Sequence, residues 1–148
     1  YKGCTVCAEW LLFSNFRKWM ITQEWEGNAL DKDLLVQGNK LYSPYTCVFV
    51  NKTINSFTLD GGLGRRGKYL LGVNYHRRDN NFLAQCSNPF TNKKEHLGNY
   101  TSEQDAHFAW KKRKHEHSCN LANSHYVKDD RVKEVLLSMY KNYNMVEY

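Results

Sequence analysis

Five of the six histidines and eleven of the 21 Lys/Arg residues lie between positions 65 and 117, opposed there by five Asp/Glu. That excess equals the formal net charge of +6, so the whole positive surplus belongs to one central segment. Such cations neutralise phosphates and release the counterions condensed on a polyanion, which gives salt-sensitive affinity. Within the segment, Asn74, His76 and Arg78 alternate with Val73, Tyr75 and Arg77 at the period of a strand, and Gln85 and Ser87 alternate with Ala84 and Cys86. Asn and Gln can bond adenine bidentately, while Arg or Lys can bond guanine or phosphate. Nucleic acid is therefore the expected partner; a solvated basic face without a ligand is the alternative.

Metal chemistry has two further candidates. Cys4-x-x-Cys7 has the spacing of half a zinc knuckle, but Cys47 stands alone and His76 and Cys86 lie far along the chain. Buried thiols are expected at Cys4 and Cys7 rather than zinc. His115-Glu116-His117 beside Cys119 could also bind a metal; a solvated basic helix end is the preferred reading.

These residues need elements to position them. The 148 residues (17.5 kDa) suffice for one ordinary domain or two very small ones. Hydrophobic content of 41% and charged content of 24% exclude a disordered tail, and aromatics at 14% must supply much of the core. No apolar run reaches the ~18 residues that span a bilayer, so no membrane partner is expected. Five scattered cysteines make a poor disulfide framework and point to a reducing cytoplasm. On that view the sequons at Asn51 and Asn99 are chance. Tyr1 is neither an initiator Met nor part of a signal-peptide pattern, so a trimmed start is expected.

Trp10, Phe13, Phe16, Trp19 and Met20 recur at helical spacing and predict an aromatic core stripe. Residues 29–36 and 41–50 read as strands joined by a turn at Gln37-Gly38-Asn39, and Asn51 as the N-cap of a helix through Phe57. Leu59-Asp-Gly-Gly-Leu-Gly-Arg-Arg-Gly-Lys68 reads as a basic, Gly-rich linker. Beyond it, strands are expected at 70–77, 82–87 and 93–99. A helix capped at Thr101-Ser102 should run to about His117, its inner stripe made of Ala106, Ala109, Trp110 and Arg113. A last helix, from Asp129 to Tyr143, should bury Val132, Val135, Leu136, Met139, Tyr140 and Tyr143. It would pack back on one half or meet a protein partner. The fold class is α+β.

Gly72-Val-Asn-Tyr-His-Arg, Asn81-Phe-Leu-Ala-Gln-Cys, His96-Leu-Gly-Asn-Tyr and Ala109-Trp resemble the ethylene-response-factor (AP-two) DNA-binding domain over residues 69–117. The resemblance implies a three-stranded sheet lying in the DNA major groove. Its outward side chains would be Asn74, His76, Arg78, Gln85, Ser87, Lys94 and His96; Arg65, Arg66 and Lys68 of the basic linker, outside the resemblance, are also expected to bind DNA.

Leu30-Asp-Lys-Asp33, Gly38-Asn39, Ser43-Pro-Tyr-Thr-Cys-Val-Phe-Val50 and Asn55 resemble a phage-type H-N-H homing endonuclease with a ββα-metal fold. By that resemblance Asp31 and Asn55 are ligands of Mg²⁺ or Mn²⁺, which suits hard oxygen donors. Lys32 stands where the family has its general-base histidine, and Thr46 where a residue orients that base. A lysine protonated at neutral pH cannot accept a proton. Three alternatives follow: Asp33 is the base, the chemistry runs weakly through hydroxide on the metal, or the nuclease is inactive.

The resulting organisation is an H-N-H-like domain at 1–58, a linker at 59–68, an ethylene-response-factor-like domain at 69–117 and a helical extension at 118–148. The function implied is a DNA-binding endonuclease that nicks or cuts duplex DNA. The alternatives are a catalytically degenerate DNA-binding protein and a phage protein that binds a host enzyme.

Overall fold

The structure, a computed structural model, describes residues 3–59 and 67–142. Among them are four α-helices and a three-stranded antiparallel sheet in an α+β arrangement. No helix among the described residues is long and apolar enough to cross a membrane.

The first half is built from short pieces. β1 (Thr5–Val6) pairs in parallel with β3 (Leu41–Tyr42), and β2 (Ala29–Asp31) pairs antiparallel with β4 (Val48–Val50). The expected long strand at 29–36 stops at Asp31. Its Oδ1 accepts hydrogen bonds from the Asp33 N–H (2.9 Å) and the Leu34 N–H (2.7 Å), which turns the chain out of the extended conformation. Asn39 Nδ2 then donates to the Lys32 carbonyl (2.7 Å) and the Leu41 carbonyl (2.8 Å), tying the loop down. The expected 41–50 strand is likewise split into β3 and β4. Gly38 does supply a positive φ (+77°) at the anticipated turn.

The aromatic stripe is only partly core. A 3-10 turn at Ala8–Leu11 ends in extended Leu12 (φ −91°, ψ 112°) before helix α1 (Phe13–Met20) begins. That break shifts the helical phase, so Phe13 is 70% exposed. Trp10 and Phe16 meet edge-on at 5.0 Å, and Trp19 stacks on Phe49 at 5.7 Å. Helix α2 (Lys52–Thr58) starts as predicted, with Asn51 Oδ1 accepting from the Thr53 N–H at 2.8 Å.

In the second half the sheet runs β5 (Val73–His76), β6 (Asn81–Ser87), β7 (Lys94–Tyr100), in that spatial order. Helix α3 (Glu103–Ala122) covers one face of it. Ser102 caps the helix by accepting from the Asp105 N–H (3.1 Å). The inner stripe of small residues brings the layers close: Val73, Ala84 and Ala106 form the centre of this core, with Tyr69, Phe82, Leu97, Tyr100 and Ala109 around them. Gly72 sits against Trp110.

α3 outruns its expected end at His117 and reaches the other half. Its last turn puts Leu121 and Ala122 into a core with Val48, Val50, Ile54 and Phe57. Helix α4 (Asp130–Ser138) closes that core with Val132 and Leu136, so the closing helix packs back within the chain. It ends earlier than expected, since Met139 is extended (ψ 137°) and Tyr140 takes φ +58°. Tyr143 lies outside the described residues.

The far end of α3 is not a solvated basic end. Lys114, His117 and Ser118 are buried. Lys114 Nζ donates to the Phe57 carbonyl (2.8 Å) and lies 3.9 Å from the centre of the Phe57 ring. Ser118 Oγ donates to the Leu136 carbonyl at 2.7 Å, and His115 Nδ1 lies 2.7 Å from the Met139 carbonyl. These buried polar contacts join α3 to α2 and to α4.

Candidate nucleic-acid interface and carboxylate site

The register of the sheet sets its open face. Asn74 pairs with Leu83 and Leu83 with Asn99; beyond a bulge at Ala84/Gln85, Gln85 pairs with His96 and Ser87 with Lys94. Asn74, His76, Ser87, Lys94, His96 and Asn99 are exposed and Gln85 is half-buried, on the face away from α3. Asn74 Nδ2 and Gln85 Oε1 lie 3.5 Å apart. Sequence reasoning missed Asn99. Strict alternation from His96 leads to Gly98, but the bulge, with Gly98 at φ +131°, moves the outward position on by one.

Arg78 is corrected. β5 ends at His76, whose Nδ1 lies 3.0 Å from Asp79 Oδ2, and Tyr75 OH bonds Asn80 Oδ1 across the turn. Arg78 therefore lies in the turn that follows β5, exposed, and not on the strand; Asn80 in the same turn takes φ +49°. Lys68 is exposed, with Nζ 5.8 Å from the centre of the Tyr69 ring. Arg65 and Arg66 lie outside the described residues.

One ionic cluster holds the sheet to α3. Glu95 accepts from Arg113 Nε (2.8 Å) and Nη2 (3.0 Å), from Asn88 Nδ2 (2.9 Å) and from His117 Nε2 (2.9 Å). The Arg113 hydrogen bonds hold the Glu95 carboxyl far below its ordinary value of 4.5, against burial, and Asn88 and His117 add to them. Arg113 is raised in turn, by Glu95 first and then by Glu116. A carboxyl depressed in the folded state contributes stability above its unfolded value and loses it as pH falls. Glu95→Gln is therefore expected to cost about 2 kcal/mol at pH 7, a deficit that narrows below pH ~4.5. Urea midpoints of both proteins at pH 7 and pH ~3 check this; a deficit independent of pH would contradict it.

The H-N-H-like residues are brought together only in part. Asp31, Asp33 and Thr58 line a cavity of about 780 Å³, together with Lys111 and Lys141. Asn55 is on α2, one turn before Thr58, and is not among the residues lining that cavity. Burial raises the Asp31 carboxyl above its ordinary 3.8; the Asp33 and Leu34 N–H groups pull it back, and the Asp33 carboxylate pushes it up again. Two adjacent carboxylates opening on one cavity suit a hard divalent cation, which takes one or two carboxylates and keeps several waters. Among the described residues no three His, Cys, Asp or Glu side chains cluster as a metal site.

Lys32 Nζ lies 3.2 Å from Asp33 Oδ2 and 5.9 Å from the centre of the Tyr42 ring. Burial pulls its ammonium down, but the hydrogen bond and charge of Asp33 outweigh that and leave it above its ordinary value. Lys32 is thus held protonated. The Thr46 hydroxyl is used locally, donating to the Leu41 carbonyl (2.9 Å) and lying 2.8 Å from Ser43 Oγ. Cys4 and Cys7 are half-buried free thiols; Cys47 is fully buried, and burial pushes its thiol up.

Comparison with family models, curated proteins and solved structures finds no match to this chain.

Proposed function

We propose that this protein binds duplex DNA through the open face of β5–β7 and nicks or cuts it at the Asp31 cavity, as an H-N-H-type endonuclease using Mg²⁺ or Mn²⁺. One observation carries the reading: on the polar face, Asn74, Ser87, Lys94, His96 and Asn99 are exposed around half-buried Gln85, in the segment that holds the whole net charge. Asn, Gln and Lys side chains on a two-dimensional lattice can meet base edges and phosphates together, and a sheet in the major groove presents them at that spacing.

In this reading Asp31 and Asp33 hold the metal from the β2 end, and Thr58 adds a hydroxyl from α2. When bound, the metal would stabilise the scissile phosphate and the leaving oxygen. Asp31 is aimed by two backbone N–H groups, which fix one carboxylate oxygen and leave the other for the cavity. Lys32 does not abstract a proton; its ammonium offsets the paired carboxylates. A specific observation favours a second reading, a DNA-binding protein whose nuclease half no longer cuts: the residue in the base position is an ion-paired, protonated lysine.

Both readings require DNA binding. A random-sequence duplex should bind at ~50 mM salt, with log K falling against log salt by about 0.9 per phosphate neutralised. No binding at that salt would remove both.

A further inference from the structure

The open face of the sheet does not stand alone. A groove of about 540 Å³ separates it from helix α2 of the other half. Lys94, Ser87 and Gln85 line it from the sheet, and Lys52, Thr53 and Ser56 line it from α2. The buried Lys114, whose Nζ reaches the Phe57 carbonyl, sits at the groove wall where the halves meet. Three lysines and, among the described residues, no aspartate or glutamate line the groove.

That composition differs from those of two other cavities among the described residues. The Asp31 cavity holds two carboxylates, and another, between residues 22–28 and 125–132, holds Glu24, Glu26 and Asp129. The described lining combines cations and neutral hydrogen-bond donors with apolar Phe57, Leu59, Leu71 and Trp110, and its polar side chains can bond the non-bridging oxygens of a phosphodiester chain. Lys52 and Ser56 lie four residues apart on α2, hence on one helical face. Lys52, Ser56 and Lys94 are all exposed. Leu59 and Leu71 line both this groove and the Asp31 cavity, so the two openings adjoin.

We infer that α2 is a second DNA-binding element: Lys52, Thr53 and Ser56 grip the phosphate backbone of one strand against Ser87 and Lys94, and the groove leads that strand toward Asp31 and Asp33. The inference rests on the duplex-DNA reading above and deepens it. It assigns phosphate contacts to the H-N-H-like half, so DNA is held by both halves at once and not by the sheet alone.

The test is duplex binding by the full chain, measured from ~50 to ~200 mM salt with a 30-base-pair random-sequence duplex, for the wild type and for Lys52→Ala, Lys52→Gln, Lys94→Ala and Lys18→Ala. Lys18 is exposed on α1 and does not line the groove. Removing one phosphate contact lowers the salt slope by about 1 and weakens binding roughly 3–10-fold at ~100 mM salt. Both Lys52 variants and Lys94→Ala should show that loss, with unchanged melting temperatures, and Lys18→Ala should match the wild type. A loss for Lys94→Ala with both Lys52 variants matching Lys18→Ala would overturn the inference and leave the duplex-DNA reading standing. A wild type that does not bind would overturn both.

Discussion

Gly72→Ala is expected to destabilise the protein by about 2–4 kcal/mol, a large part of the ~5–15 kcal/mol that holds a typical domain folded. Two costs add. Gly72 has φ +77°, which an L side chain adopts at about 1 kcal/mol. A Cβ there would also lie 2.1 Å from Cγ and Cδ1 of Trp110. Trp110 cannot yield cheaply: it is buried, stacks on His107 at 5.3 Å and meets Tyr140 edge-on at 5.7 Å. Overpacking of this kind costs roughly 1–3 kcal/mol, so the melting temperature should fall by about 10 °C. Gly27→Ala separates the terms, because Gly27 shares the positive φ (+71°) but a Cβ there meets nothing within 4 Å. Its loss should stay near 1 kcal/mol. Equal losses in the two variants would show that close packing of α3 on the sheet is not what Gly72 provides.

That packing was partly legible from residue order. β5, β6 and β7 have one covered and one open face, so their side chains alternate and the pattern survives in the sequence. The Ser102 and Asn51 caps are local chemistry and were readable for the same reason. Where one side chain overrides the pattern, the reading went astray. Leu34-Leu35-Val36 looks like strand, but the Asp31 carboxylate turns the chain before it, and Leu34 and Leu35 pack on the core from a loop. Leu12 breaks the helical phase that seemed to join Trp10 to Phe13.

The candidate site was legible as residues and not as geometry. Asp31 and Asp33 do share a cavity, yet Asn55 does not line it, and nothing local reveals that. The groove between α2 and the sheet depends on how two distant segments dock. That docking rests on Lys114 reaching Phe57 and on α3 delivering Leu121 to the other core. Sequence separation hides such contacts, since no period or cap records the partner of a buried lysine.

The second large effect concerns residue 32. Lys32 is held protonated by Asp33, so a nuclease built this way lacks a strong side-chain base. Lys32→His introduces a group that is largely neutral at pH 7.5 and can take a proton from water. Lys32 does not itself line the Asp31 cavity, but its Nζ lies 3.2 Å from the Asp33 carboxylate that does. A placed general base contributes ~10²–10⁴ in rate, so Lys32→His is expected to raise any nicking activity by up to about a hundredfold. The gain should appear as pH rises above the ordinary imidazole value of about 6.5, because the Asp33 carboxylate that holds the Lys32 ammonium also favours an imidazolium there. The wild type should show no such step. An unchanged rate in Lys32→His would mean that residue 32 does not face the attacking water.

The most direct test of the account is the conversion of supercoiled plasmid to open-circle DNA by the full chain with Mg²⁺ or Mn²⁺, set beside Asp31→Ala. The account predicts metal-dependent nicking, slow in the wild type, faster in Lys32→His and abolished in Asp31→Ala. Nicking that persists in Asp31→Ala, or plasmid left intact by the wild type and Lys32→His alike while duplex binding is retained, would contradict it and leave a DNA-binding protein without a nuclease.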